Sequence, residues 1–162
     1  MSIERLSVEE LTDRHEELTE ERDDLQTTID DAQENLNDAK DPTSGLAPED
    51  VADAAEALTA AVAALADWDA GEEAEELRAL NELLDELRGA GGDHKYSGDW
   101  YPGELIAEDS FVEYAEELAR ECYDIPDTWP HRCIDWEQAA HELQQDYSMV
   151  TFNGTDYLYR SA

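Results

Sequence analysis

The chain has 162 residues, with 44 acidic side chains against ten basic ones, a formal net charge of −34 and only two lysines, Lys40 and Lys95. A field of that sign repels nucleic acid and anionic lipid and attracts cations and basic surfaces, so direct binding to nucleic acid or to a membrane surface is excluded. No apolar run approaches the roughly 18 residues of a membrane span.

The first element is a long helix. Val8, Leu11, His15, Leu18, Arg22, Leu25, Ile29, Ala32, Leu36 and Ala39 fall on alternating steps of three and four, a seam of more than four heptads. Ser7, with Glu10 three residues on, is a capping box at its start. A helix over 7–40 would be about 50 Å long and too thin in apolar content to stand alone. His15 and Arg22 are polar positions on the seam, of the kind that fixes register and pairing. The pattern leaves open whether the seam closes within the chain or on another copy.

Asp41-Pro42-Thr43-Ser44-Gly45 stops this helix, and a second starts at Pro48 with the stripe Val51, Ala54, Ala55, Leu58, Ala61, Val62 and Leu65. Gly71 marks a break. Leu77, Leu80, Leu84 and Leu87 make a third stripe that ends at Gly89-Ala90-Gly91-Gly92, where the chain is expected to divide.

Beyond that point aromatic residues crowd in, from Trp100 to Tyr159, and large aromatics can close a compact core in a short segment. A strand is expected around 101–106. Asp109 or Ser110 caps a helix with Phe111, Tyr114, Ala115, Leu118, Ala119 and Cys122 on one face, Ser110 and Glu113 forming a capping box. Pro126 and Pro130 enforce a loop. Asp135 then caps a short helix bearing Trp136, Ala139, Ala140 and Leu143. Residues 148–152 and 155–160 flank Asn153-Gly154, the signature of a β-hairpin with a type I′ turn. The expected fold is α+β and mostly α: a helical hairpin or three-helix coiled-coil region over 1–90, then a small acidic α+β domain over 91–162 with a C-terminal hairpin.

The charge has two compatible origins. In molar salt the Debye length shrinks to roughly 3 Å, so exposed carboxylates stop repelling one another and can cover a whole surface. The 20 Asp, 24 Glu and 22 Ala beside scarce Lys match that salt-adapted composition. The other origin is imitation of duplex DNA, which carries about one negative charge per 1.7 Å of axis.

Several segments resemble short phage and plasmid proteins: Gly91-Gly92-Asp93-His94, Gly98-Asp99-Trp100-Tyr101-Pro102, the helix 111–119, 134–140 with Asp146-Tyr147, and the closing hairpin through Tyr157 and Arg160. That arrangement is similar to the C-terminal part of ArdA-type antirestriction proteins, acidic dimers that imitate DNA and occupy type I restriction-modification enzymes. The resemblance covers roughly 91–160. It implies a competitive decoy for a basic DNA-binding groove, with Asp135, Trp136, Asp146 and Tyr147 matching the family's most recognisable segment. The family's further acidic domains are replaced here by the helical arm.

Cys122, His131, Cys133 and His141 have zinc-ligand chemistry, but their spacing lacks the Cys-x2-Cys knuckle. Asp135, Glu137 and His141 are an acid-base set only by residue type. No phosphate-binding or nucleophile motif is present. The expectation is therefore a non-enzymatic protein without cofactor or metal. Its partner-binding acidic face would be Glu113, Glu116, Glu117, Glu121, Asp135 and Asp146. Its partner would be a protein with a basic groove, such as a type I restriction-modification enzyme. The alternative is a salt-adapted viral or plasmid interaction module. Either is expected as a homo-oligomer in a high-salt host cytosol, since Met1-Ser2-Ile3-Glu4-Arg5 lacks a signal peptide's apolar stretch and two cysteines are too few for a disulfide framework.

Overall fold

In the computed structural model the described residues are 3–90, 93–94 and 100–160, with the backbone alone described at 93, 94 and 100. Gly91, Gly92, Lys95, Gly98 and Asp99, which carry part of the expected chain break and of the resemblance, lie outside them. The elements are β1 (Arg5–Ser7), α1 (Val8–Lys40), α2 (Pro48–Asp69), α3 (Glu72–Leu87), β2 (Asp93–His94), β3 (Trp100–Tyr101), β4 (Glu104–Ala107), α4 (Phe111–Cys122), α5 (Trp136–Gln144), β5 (Ser148–Phe152) and β6 (Thr155–Tyr159). The fold is α+β and mostly α, as the periodicities imply.

Two compact units form, Arg14–Arg78 and Met1–Asp13 with Ala79–Ala162. The division thus falls inside α1 and α3 and not at the glycine cluster. The C-terminal part of α3 belongs with the sheet because Leu83, Leu84 and Leu87 need its apolar surface for burial.

In the helical unit every seam residue of α1 from His15 to Ala39 is buried or half-buried, and Leu18, Ala32, Leu36 and Ala39 are buried outright. Their partners come from the same chain. The Arg22 guanidinium donates to both carboxylate oxygens of Asp69 at the end of α2, at 3.0 and 3.3 Å, and Arg14 donates to both oxygens of Glu76 in α3, at 2.9 and 3.0 Å. The polar seam position Arg22 therefore sets the register of an antiparallel pairing. Val62 departs from the expected stripe and is exposed.

The α1–α2 turn is built by Asp41, whose carboxylate accepts from the Thr43 N–H and hydroxyl at 2.8 and 2.7 Å. Those two donors hold its pKa below the usual carboxylate range. Gly45 takes a positive φ of 71°, open only to a residue without a Cβ penalty. Pro48 opens α2, where its missing N–H costs nothing.

The other unit is a four-stranded antiparallel sheet, order β1-β4-β6-β5, with helices on both faces; β2 and β3 form a separate two-stranded ribbon. Side chains alternate across the sheet with period two. Leu105, Ala107, Val150 and Tyr157 point to one face, where Val8 of α1 and Leu83, Leu84 and Leu87 of α3 close a core. Ile106 and Leu158 point to the other, against Phe111 and Ala115 of α4 and Ala140 of α5. Burying each of these large side chains is worth about 1.5–3 kcal/mol, so the sheet is the stable centre of this unit.

β1 is an element the sequence pattern conceals. It pairs with β4, Leu6 facing Leu105. Ser7 still acts as the cap, its Oγ accepting from the Glu10 N–H at 3.4 Å. The expected strand over 101–106 is two strands, β3 and β4. At the β5–β6 turn Asn153 and Gly154 both have positive φ, 51° and 79°, as type I′ requires.

Candidate functional site

The acidic face proposed from sequence centres on α4. Phe111 and Ala115 are buried and Tyr114, Leu118 and Ala119 half-buried, which turns Glu113, Glu116, Glu117 and Glu121 toward solvent, where with Arg120 they line a shallow recess of about 360 Å³. Cys122 lies off the apolar face to which its spacing assigned it and is exposed. The Ser110–Glu113 capping box does not form: Ser110 ends a short 3-10 turn, and its Oγ accepts from the Glu4 N–H at 3.0 Å instead. The strand pairing of the N-terminal segment brings that donor in and outcompetes the local cap.

The four glutamates are not equivalent. Glu117 accepts from the Arg5 guanidinium at 2.6 Å, and Arg5 also approaches Glu104 at 3.7 Å and lies 5.5 Å over the Tyr114 ring. The Glu117 hydrogen bond raises the Arg5 pKa. Glu116 is paired with Arg120 at 2.9 Å, one turn on, and Arg120 also lies 5.7 Å over Trp136 and donates to the Ile125 carbonyl at 3.3 Å. Among the described residues Glu113 and Glu121 have no cationic partner. Half of the predicted anionic row is thus neutralised by arginines that also brace the helix.

Asp135 and Asp146 lie away from that row, on either side of α5. Asp135 is exposed and serves as the α5 N-cap, its Oδ1 accepting from the Gln138 N–H at 3.2 Å. Asp146 is exposed just after α5. The neighbouring aromatics are packing residues. The Tyr147 ring meets Phe111 edge-on at 5.1 Å, and its hydroxyl is 3.0 Å from that of Tyr114. Burial first, and that hydroxyl contact second, push the Tyr114 phenol well above its usual value. Trp136 is half-buried beneath Arg120. Asp135, Trp136 and Tyr147 are therefore determinants of the fold.

Cys122, His131, Cys133 and His141 are all exposed, as are Asp135 and Glu137. Among the described residues no three His, Cys, Asp or Glu side chains group to hold a metal ion. No helix among them is long and apolar enough to cross a membrane.

Arg5 is the site residue that pattern reasoning missed. Its partners lie about a hundred positions away in sequence, and the three residues of β1 are too short a pattern to read ahead of a much stronger helical one. Compared with known proteins, the chain matches no family model, no curated sequence and no solved structure.

Proposed function

We propose that the chain is a non-catalytic binding protein that offers helix-borne carboxylates to a basic, DNA-binding groove of another protein, as an antirestriction-type DNA mimic. The observation that carries this reading is the spacing on α4. Glu113, Glu116, Glu117 and Glu121 span nine residues, a rise of about 12 Å, or roughly one carboxylate per 4 Å, close to the about 3.4 Å per phosphate along one DNA strand, with Glu116 and Glu117 taking phosphate positions only by exchanging Arg120 and Arg5 for cations of the groove. The groove of a type I restriction-modification enzyme is the target the sequence resemblance implies, and its occupancy would be competitive.

A second reading rests on α1, where thirteen acidic side chains over 33 residues repeat nearly the same density. The same charge density on α1, most of which lies in the other unit, favours a salt-adapted coat on an interaction module. One experiment separates the two: competition between the protein and duplex DNA for a type I enzyme, with Glu113, Glu116, Glu117 and Glu121 changed together to Gln. The decoy predicts competition that weakens as salt rises and that the fourfold variant loses. Binding that is absent, or indifferent to the four changes with the fold intact, rejects mimicry through α4.

A further inference from the structure

The β5–β6 hairpin decides which backbone groups of β5 are already used. Across the two-residue turn Phe152 and Thr155 exchange hydrogen bonds, and antiparallel alternation repeats that state at Val150–Tyr157 and Ser148–Tyr159. The N–H and C=O groups of Met149 and Thr151 therefore point away from β6. β5 is the last strand of the sheet, and among the described residues no backbone group of another element reaches those four groups.

Edge strands are normally blunted by a charge, a proline or a bulge. Here none is present. The nine residues from Tyr147 to Thr155 carry no acidic or basic side chain in a chain that is 33% charged. The other uncharged stretch of similar length, 57–66, lies within α2, where the helix satisfies its own backbone. Beside the open edge Met149 is 49% exposed, on the same sheet face as buried Leu158.

We infer that β5 pairs with β5 of a second copy of this chain, antiparallel about a two-fold axis at Val150, joining two four-stranded sheets into one of eight. The outward groups are self-complementary in that register. Met149 exchanges hydrogen bonds with the partner's Thr151 and Thr151 with the partner's Met149, while the two Val150 residues face each other as the pair without hydrogen bonds. Charge selects this occupant. Two molecules each carrying −34 can approach strand to strand only where no carboxylates oppose one another, and no facing pair across residues 148–152 is charged. The one carboxylate beside β5, that of Asp156, is already taken by the Thr151 hydroxyl at 2.6 Å, so a strand from a basic partner would find no free acidic side chain within β5 to favour it. The added strand also covers Met149, and salt strengthens the association by screening the rest of the surface. The inference is independent of the decoy reading.

Sedimentation equilibrium of the full chain in molar KCl tests it, with a species of twice 18.2 kDa expected. Met149→Pro removes one outward N–H from each copy and leaves the β5–β6 ladder intact; the dimer should weaken about tenfold to a hundredfold, with unchanged circular dichroism. Met149→Glu, which keeps the N–H but adds charge at the edge, should weaken it as well. Val62→Glu, on the exposed face of α2, should leave it unchanged. A dimer lost in Val62→Glu and retained in both Met149 variants overturns the inference in favour of α2. A monomer at every concentration, with the Met149 and Thr151 amides exchanging freely, overturns self-pairing and leaves the edge to a strand of another protein.

Discussion

The two units carry the same charge on very different cores. Residues 14–78 hold 21 acidic and four basic side chains, net −17 over 65 residues; the remaining 97 residues hold 23 and six, also net −17. Yet the helical unit buries only Leu18, Leu36, Leu77 and four alanines, whereas the sheet unit closes two clusters built on leucines, aromatics and Ile106. The same net charge on fewer residues, set against a thinner core, means that ionic conditions decide the fate of the helical unit and packing that of the other. In the helical unit Arg22–Asp69 and Arg14–Glu76 hold the register, but with side chains about 40% exposed each pair contributes only about 0.2–1 kcal/mol.

The largest effect that would sharpen this contrast is salt. Dropping KCl lengthens the Debye length from roughly 3 Å at 1 M to about 30 Å at 0.01 M, so carboxylates a full turn apart repel almost unscreened. Hydrogen exchange should show 14–78 losing protection first, with the amides of β4 and β6 outlasting it. Equal protection of both units at low salt would break the comparison.

Next come core truncations. Leu105→Ala, at the centre of the sheet and fully buried, should cost about 2–5 kcal/mol by thermal or denaturant unfolding in molar KCl. Leu36→Ala, near an exposed turn where the helices can settle around the gap, belongs at the low end of that range. A larger loss at Leu36 than at Leu105 would reverse the assignment of the stable centre.

These contrasts follow how the sequence encodes each part. The α1 seam was legible because its period repeats along one helix even though its partners lie 47 and more positions away, and the Asn153-Gly154 turn and the Asp135 cap were legible because their partners lie within a few residues. β1, the cut through α1 and α3 and the role of Ser110 were not, because each depends on a contact across about eighty residues or more: Leu6 on Leu105, Val8 on Leu87, the Glu4 N–H on Ser110. The candidate site divides in the same way. That four glutamates line one side of α4 was readable from their spacing, but that Glu117 is held by Arg5, 112 positions away, and Glu116 by Arg120 was not. Composition states how much charge there is, and the fold states how much of it is free.

A smaller effect checks that local reading. Asp135→Ala removes the α5 cap and should cost about 1 kcal/mol, measurable as a lowered melting temperature in molar salt. Asp135→Asn should recover most of it, because an amide oxygen caps as well as a carboxylate. If Asn fails where Asp succeeds, the charge of Asp135 matters and not its hydrogen bond.

The smallest expected effect isolates one ion pair from the surrounding repulsion. Arg14 lowers the pKa of Glu76 below its ordinary 4.5, chiefly through their hydrogen bond. A depressed carboxyl adds stability that is complete above the unfolded value and is lost as pH falls through the folded one. The unpartnered carboxylates act in the opposite sense, since protonating them relieves repulsion. At low salt the helical unit should therefore gain stability from neutral pH down to about pH 5, and the Arg14–Glu76 contribution should vanish only below the carboxylate range. Arg14→Gln is the probe. It should destabilise residues 14–78 near neutral pH, by no more than the surface-pair range, and the penalty should shrink toward zero only as pH falls through the depressed Glu76 value, below which Glu76 is protonated in both proteins. A penalty that stayed constant across that interval would show that Arg14 acts through the packing of its aliphatic stem, and the helical unit would then depend on contact area more than on charge.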